Sequence, residues 1–544
     1  MSRSYSEVMG APNELYHWIP GELVVVVRLS RLPADEALES LLEQARTRLN
    51  TFLSPYQLAL EPYGTAGRWK GSPTMPPVRR RSFIFGLHRK QPLLAIFFHA
   101  RHMDPGVADA TPMVLSYLQA RLDLLAQQGL QIVSAMPNWL VTAAPFYFSE
   151  GGPALPPRPA PQLEAPAPSN ALIGWRMRLM EPDIPLDTRS AEDVLVAILD
   201  SAPHPDRIMS AATRPEFRRN WLLQKLASDL RNEDGAFSVE YDRYPLTNEV
   251  RTGRDYYNDA RYYNMADHGL AVAGLVRDVA PRARIRLIRV LNDFGGGDLY
   301  PLFAALCDLG REMVAGSIRR LVINLSLTIM PDVRRLPYVW LDQRQWPTTQ
   351  LYGVTRLLEH VEAGLRLLFE SLHAHGALII AAAGNDSVAS QQQSAAPRPP
   401  RAPARYDSVL SVSSVNSQGQ ASMFANAANI APADTGVATF GGDGYGVADG
   451  NTFPDAVRGL YIASTFPNGD HNDIGWADWC GTSFSTAIAS GLGAHLMAQG
   501  WSAANSMIRL AARGDGRGEP LFGAEPEIPS LLGNMIRVQQ RFGL

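Results

Sequence analysis

A serine directly after Gly-Thr, at the head of "GTSFSTAIASGLGAHL" (residues 481–496), is the first residue whose surroundings suggest chemistry. Small residues recur behind it, Ser485, Ala487, Ala489, Ser490, Gly491 and Ala494, so a helix here can press close to a sheet and hold its first residue rigidly. A hydroxyl at a helix N-terminus lies among unpaired N–H groups at the positive end of the macrodipole, which favours negative charge developing beside it. That suits a nucleophile whose attack creates an oxyanion. A serine hydroxyl is too weakly acidic to act alone, so Ser483 needs an imidazole within hydrogen-bond reach. His268 is the candidate, because it opens a second small-residue segment, "HGLAVAGLV", with Gly269, Ala271, Ala273 and Gly274. Asp200, ending "VLVAILD", could hold the tautomer of that histidine and stabilise its imidazolium. Asn385, closing "ALIIAAAGN", is an uncharged donor suited to an oxyanion hole together with the Ser483 N–H.

The elements that must carry these residues are short and continuously apolar. "VLVAILD", "IRLIRVL", "LVINLSL", "ALIIAAAGN" and "SVLSVSSV" alternate with helical segments. Runs apolar on both faces indicate strands covered on both sides, as in a parallel sheet flanked by helices. A doubly wound α/β domain is expected. In such sheets ligands sit at the carboxyl ends of the strands, which puts Asp200, Ser326 and Asn385 on one edge.

The preceding part of the chain has a different rhythm. "GELVVVVRL", "PADEALESLLEQARTRL", "YQLALEP", "LLAIFFHAR", "PMVLSYLQARLDLLAQQ" and "LQIVSA" read as βαββαβ, a ferredoxin-like α+β order with an arginine-rich loop at Arg79 to Arg81. Proline then recurs too often for helix or central strand in "SEGGPALPPRPAPQLEAPAPSN". The expected division is therefore an N-terminal domain over 1–148, a proline-rich linker over 149–170 and a catalytic domain over 171–544.

Composition narrows the function classes. Of 544 residues, 46% are apolar and 19% charged, with a formal net charge of -3, so nothing global favours nucleic acid or an anionic membrane as partner. Cys307 and Cys480 cannot make a disulfide framework, and neither has metal-ligand spacing around it. No apolar run approaches membrane-spanning length and the first twenty residues lack a signal-peptide core. A soluble cytoplasmic protein with no metal or cofactor is expected.

Taken in chain order, "VLVAILDSAPHPD", "HGLAVAGLV" followed by "APRARIRLIRVLN", "INLSLT", "AAAGND" and "GTSFSTAIASGLGAHL" resemble the Asp, His, substrate-strand, oxyanion-Asn and Ser motifs of the subtilase family of serine peptidases. "PARYDSVLSVSSVNSQGQASMFANAANI" resembles that family's core strand and the turn after it. The resemblance implies a triad of Asp200, His268 and Ser483 with Asn385 as oxyanion donor, and substrate binding by Ser326, Leu327, Thr328, Ala383 and Gly384. Backbone pairing along Ser326 and Leu327 would be a β-strand addition mode of peptide binding. Departures from the family pattern are Ala202, Leu270, Ala487 and the turn Ala425-Asn426, none of which removes a triad group. The resemblance also implies that the ferredoxin-like segment is a prodomain, with residues around 137 to 150 lying in the cleft to hold the enzyme latent.

Each residue also has a plainer reading. Ser483 could be a helix cap, Asp200 a turn former, His268 a satisfied core histidine, Asn385 a turn cap and Ser326 a buried strand hydroxyl bonded to backbone. Cys480 reads as a small buried residue, His204 as a loop residue, and "PNGDHNDIG" as a hairpin turn rather than a calcium loop. "RPEFRRNWLLQKLASDL" and "YDRYPLTNEVRTGRDYYNDARYYN" mix arginine with aromatics, and their interspersed acids favour a solvated loop over the cleft above single-strand nucleic-acid binding. "TIMPDVRRLPYVWLDQRQWPTTQLYG" leaves the substrate strand and could wall the cleft. The expected function is a serine endopeptidase acting on proteins or peptides, with its own N-terminal domain as partner. A weakly active or inactive peptide-binding relative and an esterase using the same groups are the alternatives.

Overall fold

The computed structural model describes residues 18–63, 80–87, 91–107, 109–143, 156–159, 174–179, 193–232, 235–246, 264–329, 351–387, 398–416, 421–429, 435–442, 456–511 and 536–541. The first elements are β1 (Trp18–Arg28), α1 (Asp35–Leu53), β2 (Leu58–Pro62), β3 (Ser82–Phe85), β4 (Leu93–His102), α2 (Thr111–Ala120), α3 (Leu122–Gln127) and β5 (Ile132–Thr142). There follow β6 (Arg158–Pro159), β7 (Gly174–Leu179), β8 (Val194–Asp200), α4 (Pro205–Thr213), α5 (Trp221–Arg231), β9 (Phe237–Glu240), α6 (His268–Val279), β10 (Arg284–Arg289), β11 (Gly296–Asp298) and α7 (Leu299–Val314). Then come β12 (Arg320–Leu325), β13 (Thr328–Ile329), α8 (Leu351–Ala374), β14 (Ala377–Ala382), β15 (Leu410–Val415) and β16 (Gly436–Phe440). The chain closes with β17 (Val457–Leu460), β18 (Trp476–Trp479), α9 (Thr482–Ala498), α10 (Ala503–Ala511) and β19 (Ile536–Arg541), the last paired with β7. Contacts divide it into two compact units.

One unit gathers Met1–Leu140 with Asp298–Ala315 and Met330–His375. Its antiparallel sheet runs β5-β1-β4-β2, the order in which a βαββαβ chain closes a ferredoxin-like sheet, with Val25 opposite both Ile96 and Ala135. Val24, Val25 and Val26 are all at 0% exposure, and because successive side chains point to opposite faces, both faces of β1 are covered. That accounts for the unbroken "VVVV", each residue contributing about 1.5–3 kcal/mol by burial. The helix α7, from far later in the chain, packs on β3 through Phe303, whose ring centre is 5.6 Å from that of Phe85 and 5.9 Å from that of Phe97. Arg80 fastens the same pair of elements by donating from one nitrogen to both carboxylate oxygens of Asp308 at 2.8 Å.

The other unit comprises Val141–Gly297, Gly316–Ile329 and Gly376–Leu544. Its sheet runs β16-β15-β14-β12-β8-β10-β9, with each neighbouring pair parallel. The chain leaves β8 for β9 and β10 on one side, then crosses to β12 and onward on the other. The reversal of direction thus falls beside β8, at whose carboxyl end Asp200 stands. The fold is the doubly wound α/β arrangement anticipated from the continuous apolar runs. Helix α9 is buried along its whole length and touches β8, β12, β14, β15, β16 and α6, a closeness its Ser, Ala and Gly residues permit.

One expectation is overturned here. The stretch 214–230 is not a solvated loop: it forms a short turn and α5, with Phe217, Leu222, Leu223 and Leu226 buried in the core of this unit. Its charged residues recur on one side of a helix with a full apolar stripe, a 3.6-residue period that a count of arginines hides. Residues 247–263 and 330–350, the rest of the two insertions, lie outside the described residues.

Candidate active site

Strand β8 delivers Asp200 to the sheet edge with every one of its residues buried. Its Oδ1 accepts from the Ser201 N–H at 2.6 Å and lies 2.8 Å from His268 Nδ1, while Oδ2 has no hydrogen-bond partner among the described residues. Both side chains are fully buried. A carboxylate at that distance fixes Nδ1 as the protonated nitrogen, leaving a lone pair on Nε2. Nε2 itself is buried and has no hydrogen-bond partner among the described residues. The imidazole is walled by Phe484 and Trp479, with ring centres 5.5 and 6.1 Å away at steep angles.

His268 is the first residue of α6, so its imidazole leaves from a fixed backbone. Gly269 lets that helix start press against β8: a Cβ there would lie 2.0 Å from the Ser201 carbonyl oxygen. Ser201 supports the site three ways, donating to the Met265 carbonyl at 2.7 Å, lying 3.3 Å from Asp200 Oδ1, and accepting from the Gly269 N–H at 3.4 Å.

Ser483 is the second residue of α9, one position inside the helix that Thr482 begins, and is 3% exposed. Gly481 occupies the cap position, so the hydroxyl of Ser483 is not used as a cap. It donates instead to the Ser326 carbonyl at 3.4 Å, and the single proton of Ser326 Oγ is shared between the Ser483 carbonyl and Asn324 Oδ1, each 3.0 Å away. Ser326 thus has the backbone-bonded hydroxyl of its plainer reading. No hydrogen bond joins Ser483 Oγ to His268 Nε2, which a rotation of the serine side chain would have to bring about.

Asn385 stands just past β14. Its Oδ1 accepts from the Thr482 N–H and from Thr482 Oγ1, each at 3.0 Å. A backbone donor can meet only the amide oxygen, so the assignment of its two ends is settled and Nδ2 remains as the donor beside Ser483. The loop holding it turns at Gly384, whose φ of +111° and contact with Asn426 Nδ2 at 2.6 Å from a hypothetical Cβ admit no larger residue. Asn426 braces that loop with all its side-chain capacity: it donates to the Ala383 carbonyl at 3.2 Å and to Asp386 Oδ2 at 2.8 Å, and accepts from the Asp386 N–H at 3.0 Å and Ser387 Oγ at 3.1 Å.

A narrow pocket brings Ser483, Thr482, Asn385, Gly384, Ser326, Leu327 and Thr328 together, and Thr142 and Ala143 line it too. Ala383 lies beneath, its N–H bonded to the Val412 carbonyl at 2.9 Å and its carbonyl accepting from the Arg401 N–H at 2.9 Å. Thr142 pairs antiparallel with Thr328 and Val141 with Ile329, and the Ala143 N–H donates to the Gly295 carbonyl at 2.8 Å. Of the stretch 137–150, Val141, Thr142 and Ala143 therefore run beside the serine; 144–150 lie outside the described residues.

Ser201, Asn426 and Thr482 escaped the sequence reading. Their work is done by bonds to backbone or to distant side chains, and only the Ala425-Asn426 turn hinted at any of them. The remaining polar loops are plain. His204 Nδ1 caps α4 by accepting from the Asp206 N–H at 3.2 Å, and Thr465 bridges to His471 in a hairpin. Among the described residues no cluster of three or more His, Cys, Asp or Glu could hold a metal ion, and no helix is long and apolar enough to cross a membrane. Both cysteines are buried and neither is in a disulfide.

A sequence profile of the Subtilase family matches residues 191–512. No curated protein matches the chain. Among solved structures, one titled as the crystal structure of a lanthipeptide protease matches with 18% identity and a TM-score of 0.37, covering 63% of this chain and 87% of that one.

Proposed function

Since this chain belongs to the subtilase family of serine peptidases, we propose that it is an endopeptidase cleaving proteins or peptides through Asp200, His268, Ser483 and Asn385. The observation that carries the reading is the 2.8 Å contact of His268 Nδ1 with Asp200 Oδ1, set beside a buried Nε2 that has no hydrogen-bond partner among the described residues. In the proposed reaction Ser483 Oγ gives its proton to His268 Nε2 as it bonds to the substrate carbonyl carbon. Asp200 stabilises the imidazolium that results. The negative oxygen of the tetrahedral intermediate is met by Asn385 Nδ2 and by the Ser483 N–H. Collapse breaks the C–N bond, the amine leaves with the proton from His268, and water then releases the acyl group by the same steps in reverse.

Latency belongs to the proposal as well. The pairing of Val141 and Thr142 with Ile329 and Thr328 supports a tail that fills the substrate strand's place, and the ferredoxin-like sheet before it supports a prodomain over 1–148, joined by the linker 149–170 to a catalytic domain over 171–544. Two buried cysteines outside any disulfide support a cytoplasmic setting.

A second reading, a peptide-binding relative without turnover, draws on the Ser483 hydroxyl being engaged with the Ser326 carbonyl rather than with His268. A fluorophosphonate probe separates the two: labelling lost in Ser483→Ala supports a hydrolase, and no labelling of wild type, before or after limited proteolysis of the linker, supports the binder. Cleavage of a protein substrate, absent in Ser483→Ala, separates the peptidase from an esterase.

A further inference from the structure

Asp267 sits at the cap position of α6, immediately before His268, yet its side chain makes no cap bond to that helix. Aspartate is among the residues best suited to cap, and here it does something else. Its Oδ2 accepts from the N–H groups of Ile462 and Ala463, both at 2.8 Å, and its Oδ1 faces an Arg207 guanidinium nitrogen at 3.5 Å. The carboxylate is 1% exposed. The role it leaves vacant is filled from β8, where Ser201 Oγ accepts from the Gly269 N–H at 3.4 Å.

The segment it grips is itself tied down. Arg214 donates to the Ile462 carbonyl at 3.1 Å, and Asn472 Nδ2 donates to the carbonyls of Tyr461 and Ala463 at 2.7 and 2.8 Å. That segment continues from β17, whose neighbour β18 leads through Cys480 into α9. One buried carboxylate therefore connects the helix start bearing His268, through Arg207, to the helix that follows Asp200, and through two backbone N–H groups to the strand pair that runs into Ser483.

From this geometry we infer that Asp267 is a positioning residue for His268, holding the start of α6 against the 461–463 segment so that the imidazole stays registered between Asp200 and Ser483. The inference rests on the peptidase reading. Burial raises the Asp267 carboxyl, against the lowering pull of Arg207 and of the Ile462 and Ala463 N–H groups, with Asp293 adding a further upward push. The titratable and charged groups around it are thus Arg207 on α4, Asp293 after β10, Tyr461 after β17 and His268 itself.

The test is the second-order rate of fluorophosphonate labelling at Ser483 on the full chain, with amide exchange of the peptide containing Ile462 and Ala463 measured in parallel. Asp267→Leu should label about 100-fold more slowly, the scale of a misplacement of about 1 Å, and the two amides should exchange faster. Asp267→Asn keeps an acceptor for both N–H groups, so it should label within about 10-fold of wild type with the two amides exchanging as in wild type, a rescue by the conservative variant that ties reactivity to the anchor. Labelling of Asp267→Leu at the wild-type rate with unchanged exchange, or Asp267→Asn labelling as slowly as Asp267→Leu, overturns the inference. Wild type that never labels defeats the peptidase reading first, while the exchange measurement still reports on the anchor.

Discussion

Thr142 and Thr328 face each other across an antiparallel bridge, with Thr328 Oγ1 donating to the Thr142 carbonyl at 3.4 Å. The next residue, Ala143, anchors the tail once more through its N–H to the Gly295 carbonyl. Ala143→Pro removes that donor, and a hydrogen bond of this kind contributes about 1 kcal/mol. If the tail screens the serine, the variant should label with a fluorophosphonate about 5-fold faster than wild type. Equal labelling rates would mean that residues 141–143 do not restrain access.

Among the described residues the Asn385 oxygen is met by Thr482, through its N–H and its hydroxyl, which makes the two contacts separable. Asn385→Ala should lower kcat by about 100- to 1,000-fold, the scale of losing such a donor in subtilisin itself, with KM little changed. Thr482→Val keeps the backbone N–H and loses only the hydroxyl, so its kcat should fall by no more than about 10-fold. Steady-state kinetics on a peptide substrate decides both.

Asn426 satisfies Ala383, Asp386 and Ser387 at once and is fully buried. Asn426→Ala strands several of those groups, and the expected loss in unfolding free energy is about 2–4 kcal/mol. Urea denaturation measures it. Activity should drop as well, because the braced loop is the one that presents Asn385.

Asp478 lies on β18, buried beside Arg458, whose nitrogen is 3.3 Å away. Burial pushes its carboxyl up to about 6, against the lowering effect of Arg458. The native state holds this proton more tightly than the unfolded chain. Its contribution to stability is therefore complete below about pH 4 and is lost as the pH rises through about 6. Asp478→Asn cannot titrate, so its stability relative to wild type should improve by about 2–3 kcal/mol between pH 4 and pH 7. A difference between the two proteins that stays constant over that range would contradict the shift.

Much of the architecture was legible because it rests on local pattern. The apolar runs ending in Asp200, Leu325 and Ala382 announce a sheet covered on both faces, and parallel strands carry their terminal residues to one edge. The small residues of α9 announce its close approach to that sheet. What stayed hidden depends on contacts across sequence. Asn426 and Asp386 are 40 residues apart, Asp267 and Ile462 are 195 apart, and nothing in either neighbourhood signals its partner. The docking of α7 on β3 was likewise unreadable, since an amphipathic helix does not say which sheet will cover its apolar side. In residues 214–230 the frequent charges mask a 3.6-residue apolar period, and the buried face of α5 follows the period.

The burial of α9 from Thr482 to Ala498 has one more consequence. A helix wrapped on every side has no private way to fray, so the serine near its head cannot drift from its surroundings while the rest of the sheet stays folded. Warming should therefore extinguish covalent reactivity and tertiary order in this unit at one temperature, and a single labelled side chain becomes a gauge of whether the whole sheet still stands.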